Sequence, residues 1–129
     1  MSCMFNFTKF ERTNAREVDK ITVTASNAIG FPTKFYQDQG LKDYKYVVLY
    51  YDSQEMAVGI QFTNNEEEKH KFSILKSKQG YGGSIVATSF FKTSSINPKE
   101  YHGRYEWQKE NLEGVGELYI IKLKPQTSV

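Results

Sequence analysis

In ITVTASNAIGFPTKFYQDQGL, residues 21–41, an alternating β-like run gives way to Pro32, and Gly40 follows about two helical turns later. That punctuation constrains the fold more than any other feature of the chain. Pro32 is pre-set for a first helical turn, Gly40 supplies a left-handed C-cap, and Leu41 folds back on the last turn. The interval therefore holds one short amphipathic helix between strands. Ile29, Phe31, Phe35 and Leu41 form its core side.

The flanking segments read as strands. DYKYVVLYYD carries β-branched and aromatic residues on both parities, which marks a strand covered on both faces or closed into a barrel. After turn chemistry at Asp52, Ser53 and Gln54, the residues Met56, Val58, Ile60 and Phe62 alternate on one face, which predicts a hairpin. TNNEEEKHK reads as a solvated loop, FSILK as one short strand, KQGYGG as a glycine-permitted turn and SIVA as a further strand. TSFFKTSSI predicts a short helical turn with Thr88 as N-cap, and RYEWQ and GELYIIKLK predict a closing hairpin across KENLEGV. Residues 1–20, in which FNFTKF alternates, read as an edge strand and loop.

Length and composition bound the function. A chain of 129 residues makes a single domain, 1–129, and 39% hydrophobic with 25% charged residues is the balance of a globular protein rather than a disordered one. Its longest apolar run, residues 46–51, falls far short of the roughly 20 needed to span a bilayer, and the N-terminus is polar. No membrane association and a cytoplasmic location are expected. One cysteine, Cys3, excludes an internal disulfide and a cysteine-rich zinc module. The histidines, His70 and His102, stand far apart, and neither a nucleophile set nor metal-ligand spacing appears, so a non-enzymatic protein without cofactor or metal is expected. On a strand, Glu100, His102, Arg104 and Glu106 would share one face, the densest titratable cluster in the sequence. Net charge is only +2, so nucleic-acid binding requires a local basic patch.

The two halves of the chain echo each other. Ile29, Phe35 and Leu41 are spaced six and six, while Ile85, Phe91 and Ile96 are spaced six and five. Each triplet follows a β-like run and precedes an aromatic strand, and each half ends in an apolar strand, AVGIQF and ELYIIKL. Half-repeats at about 21–64 and 83–124 predict a mainly β architecture, a barrel with two short helices in which the halves interlock about a pseudo-twofold axis.

Ile29, Phe31, Pro32, Phe35, Gly40 and Leu41, followed by Val48, Leu49, Tyr50 and Asp52, resemble the AbrB/SpoVT-type module over about residues 21–62. The resemblance implies a swapped-hairpin, double-psi-like barrel. With two fused copies, as in the tandem MraZ type, it implies a monomer, whereas single-copy members dimerise. It also implies a DNA-binding transcriptional regulator or antitoxin acting on duplex DNA. In that family basic residues before the first hydrophobic position and on the short helix touch DNA. Here those places carry Asn27 and Ala28, then Lys34, Tyr36 and Gln37, so Lys34 is the one charge retained. The candidate nucleic-acid contacts are Arg12, Arg16, Lys20, Lys34, Lys42, Lys45, Lys92, Lys99 and Arg104. Lysines beside Phe90, Phe91, Tyr101 and Tyr105 offer a second mode, gripping single strands by stacking. The alternative is a protein-interaction or structural module that keeps the barrel and has lost the basic face.

Overall fold

A computed structural model describes residues 19–77 and 82–125. The FNFTKF segment, Cys3, Arg12 and Arg16 lie outside the described residues. The chain runs β1 (Ile21–Val23), β2 (Ala28–Phe31), α1 (Thr33–Asp38), a 3-10 turn (Leu41–Asp43), β3 (Tyr46–Asp52) and β4 (Ala57–Thr63). After these come β5 (Phe72–Ser73), β6 (Leu75–Lys76), β7 (Gly83–Val86), α2 (Thr88–Thr93) and α3 (Pro98–Tyr101). The last elements are β8 (Gly103–Tyr105), β9 (Gln108–Leu112) and β10 (Gly116–Lys122).

The strands form two five-stranded antiparallel sheets, ordered β6-β7-β2-β1-β8 and β5-β3-β4-β10-β9. The architecture is mainly β, with three short helices where the sequence predicted two. Hydrogen bonding joins strands within each sheet, and the two sheets share one core rather than one closed ladder. No helix among the described residues is long and apolar enough to cross a membrane.

Local chemistry sets these boundaries. Pro32, extended at φ −69° and ψ 166°, is the N-cap of α1 rather than its first residue, and its carbonyl accepts the Tyr36 N–H at 2.8 Å. Gly40 takes φ 68° and turns the chain from α1 into the 3-10 turn, which seats Leu41 fully in the core. The Asp52 carboxylate accepts the amides of Gln54 and Glu55 at 3.0 and 3.2 Å, closing the β3–β4 hairpin. Asn27, at φ 72°, forms the β1–β2 turn, where the Ala28 amide reaches the Thr24 hydroxyl at 3.1 Å. No side chain caps α2, whose N-cap is Ala87 and not Thr88.

Two strand assignments change. FSILK splits at the buried Ile74: Phe72 and Ser73 pair with β3, whereas Leu75 and Lys76 pair with β7 in the other sheet. The closing hairpin is β9 with β10, turning at residues 113–115; Gly103–Tyr105 instead pairs with β1. Pairing across a long loop is set by burial, which a local pattern cannot report.

Both hydrophobic triplets are buried: Ile29, Phe35, Leu41 and Ile85 completely, Phe91 and Ile96 within a few per cent of completely. Strands from the two halves meet at three places, β1 with β8 and the two pairs of corresponding strands, β2 with β7 and β4 with β10. In the first sheet Ile29 lies opposite Ile85, and in the second Gly59 lies opposite Ile120. Phe35 is the hub of the core, with Trp107, Tyr119, Phe31 and Phe62 ring centroids at 5.1, 5.2, 5.8 and 6.3 Å.

Candidate nucleic-acid interface

The register of the first sheet decides what its outer face carries. Ile21, Val23, Ile29, Phe31, Ile85 and Tyr105 point into the core. Their neighbours therefore point outward, and one row across the sheet reads Leu75, Ser84, Gly30, Thr22 and Arg104. At the Arg104 end of that row, α1 borders a depression of about 530 Å³ lined by Lys20, Thr22, Lys34, Asp38 and Arg104 among others. A second depression, about 470 Å³, continues from it between β8 and β10 and is lined by Lys20, Arg104, Glu106, Ile120, Lys122 and Lys124 among others. Lys20 and Arg104 belong to both. The two depressions adjoin at these side chains and together make up the groove.

Five cationic side chains line this groove against two carboxylates, Asp38 and Glu106. Two further carboxylates stand close by, Glu55 against Lys122 and Asp19, whose charge acts on Lys34, so the local balance is modestly positive. Lys34 donates to the Asp38 carboxylate at 2.8 Å across one turn of α1, with both side chains close to half exposed. This hydrogen bond, with the Asp38 charge, holds Lys34 above its ordinary pKa and so keeps it charged. Lys122 lies 3.4 Å from the Glu55 carboxylate. The far end is anchored by the indole N–H of Trp107, which donates to the Asp19 carbonyl at 2.9 Å, and by the Tyr105 hydroxyl. That hydroxyl donates to the Tyr101 carbonyl and contacts the Lys124 carbonyl at 3.1 Å.

Of the residues expected from sequence, the structure brings Lys20, Lys34 and Arg104 together. Lys42 sits in the 3-10 turn, where its carbonyl accepts Lys76 Nζ at 2.7 Å, and Lys45 lies 3.7 Å from Glu66; neither lines the groove. Lys92 on α2 and Lys99 on α3 are exposed and also lie outside it. Asn27 serves the β1–β2 turn and Ala28 lies in β2. Lys122 and Lys124 were missed, yet the alternation of ELYIIKLK signals them: Tyr119, Ile121 and Leu123 are buried, leaving Ile120, Lys122 and Lys124 on the other face.

The titratable cluster does not assemble as a strand face. Glu100 lies in α3, His102 ends that helix, and the strand starts only at Gly103, so Arg104 and Glu106 alone of the four line the groove. The aromatics proposed for stacking are packed in protein: Phe91 and Tyr105 are buried, and Phe90 meets Tyr51 edge-on at 6.1 Å.

Compared with known proteins, the chain matches no protein-family model, no curated protein and no solved structure.

Proposed function

We propose that this protein is a non-enzymatic binding module that engages the phosphate backbone of duplex DNA, in the manner of a transcriptional regulator or antitoxin. One observation carries the reading: the two adjoining depressions that share Lys20 and Arg104 and are extended by Lys34, Lys122 and Lys124. Phosphate neutralisation supplies most of the non-specific affinity of such proteins, and five cationic side chains lining one groove fit that requirement. Duplex is favoured over single strands because single-strand grooves add exposed aromatic platforms, whereas of the aromatics lining this groove Tyr105 is buried and Trp107 is packed edge-on against Phe35 and Tyr119.

The fold reading behind this function is an internally duplicated, swapped-hairpin barrel of double-psi type. It is supported by the register, in which Ile29 faces Ile85 and Gly59 faces Ile120, each pair joining corresponding strands of the two halves. Under this reading one chain supplies both copies and acts as a monomer.

The test is fluorescence anisotropy with a labelled duplex over a range of salt. Binding at low salt that weakens linearly in log–log form is expected; no binding at low salt refutes the reading. A second reading, a protein-interaction module, is favoured by Leu75 and Val86, each more than half exposed on adjacent strands of the first sheet. Co-purification of one partner, insensitive to nuclease, would select it.

A further inference from the structure

We infer that the protein engages its nucleic acid from one side only, through a single cationic groove that the second, pseudo-symmetric side of the fold has lost. This rests on the duplex reading and on the duplication above. The predicted ligand is an asymmetric stretch of duplex and not a palindrome read by two equivalent faces.

The register supplies the correspondence between halves. If Ile29 matches Ile85 and Phe35 matches Phe91, Lys34 matches Phe90. Likewise, if Gly59 matches Ile120, Lys122 and Lys124 match Gln61 and Thr63. Lys20 precedes Val23 by three residues, as Lys71 precedes Ile74, and both Val23 and Ile74 are buried in the core. Arg104 comes from β8, which flanks β1 at one edge of the first sheet; at the other edge no strand lies beyond β6 among the described residues.

The equivalent groove would therefore be built from Lys71, Phe90, Gln61 and Thr63, with no counterpart of Arg104. Five cations reduce to one. That remaining lysine is turned onto the chain's own backbone: Lys71 Nζ donates to the carbonyls of Glu66 and Glu68 at 2.9 and 3.0 Å and stands 4.9 Å above the Tyr46 ring. Phe90 meets Tyr51 and Phe91, so the place of Lys34 is taken by a packed ring. Gln61 is bonded to the Tyr50 hydroxyl and the Val115 carbonyl. Thr63 accepts the Asn65 amide at 3.0 Å, so the four positions that have counterparts each serve the chain's own structure on the other side.

The experiment compares two charge-neutralised full-length variants by anisotropy with one short duplex, across salt, after circular dichroism confirms native folding. Lys20→Gln/Arg104→Gln is expected to weaken binding at least about tenfold and to lower the salt slope by about two, near 0.9 for each phosphate that is no longer neutralised. Lys71→Gln/Lys92→Gln, on the opposite side, is expected to change affinity less than about twofold, the scale of a single exposed ion pair. If the first pair perturbs folding, Lys34→Gln/Lys122→Gln carries the same expectation. Equal losses from both sides overturn one-sided engagement and leave the duplex reading standing. Failure of the unmodified protein to bind at low salt overturns both.

Discussion

Replacing Phe35 with alanine tests how the core is organised. Phe35 is fully buried on α1 and faces four rings from β2, β4, β10 and the segment before β9. Its counterpart Phe91 on α2 is 1% exposed, and its one ring neighbour among the described residues is Phe90 at 5.6 Å. Truncating a buried phenylalanine costs about 3–5 kcal/mol through lost transfer energy and the cavity left behind. Aromatic pairs add about 0.5–1.5 kcal/mol each beyond burial. With three more such pairs, Phe35→Ala should exceed Phe91→Ala by roughly 1.5 kcal/mol or more. A domain of this size has about 5–15 kcal/mol in total, so Phe35→Ala should fall near the limit of folding while Phe91→Ala remains folded. Urea unfolding followed by tryptophan fluorescence measures both, with unchanged m values required for the comparison. An equal or larger cost for Phe91→Ala refutes the claim that the core is centred on α1.

Asp38→Asn removes a carboxylate that competes with phosphate for Lys34, so duplex affinity should rise, measured by anisotropy at fixed salt; no change shows that Lys34 does not touch the duplex. Gly82→Ala should destabilise the protein by about 1–3 kcal/mol, because φ is +143° and an added Cβ would stand 2.8 Å from the Phe31 carbonyl; a urea midpoint shift reads it. Tyr46→Phe should flatten the acid side of the stability profile. The Tyr46 hydroxyl donates to Glu66 at 2.7 Å and lowers the Glu66 pKa, so its stabilisation is present above the ordinary glutamate value and lost as pH falls through the lowered one. Urea midpoints of both proteins at neutral and acid pH should converge at the acid end.

What could be read in advance was local. The Pro32–Gly40 bracket, both buried triplets and the β3–β4 hairpin follow from proline and glycine geometry, turn chemistry and alternation within a few residues. The pairing of Tyr105 with Ile21 and the split at Ile74 were not legible, because they depend on which distant strand covers each apolar side chain. The groove divides the same way. Lys122 and Lys124 follow from the alternation of β10, but the meeting of Lys20 with Arg104 depends on β8 pairing with β1. Lys42 and Lys45 stand close to Lys34 in sequence. They leave its surface because Gly40 and the 3-10 turn re-aim the chain after α1.

One-sided engagement also asks that the protein not restore symmetry by pairing with itself, and the long open edge bears on this. β9 is five residues long and exposed throughout, whereas β5, β6 and β8, the other strands at sheet edges, have two or three residues each. An exposed edge of that length invites antiparallel addition of a second copy. A twofold axis through such a pair keeps the faces of the two sheets on the same side, so the fully overlapped register centres on Glu110, with registers centred on Lys109 and on Asn111 next. The first sets Glu110 against Glu110, the second Lys109 against Lys109 and the third Asn111 against Asn111. Like charges directly opposite destabilise a strand pair, so the sequence of β9 opposes the fully overlapped dimer its backbone would permit. The charge pattern that keeps the groove on one side of the fold and the charge pattern on β9 thus act in the same direction.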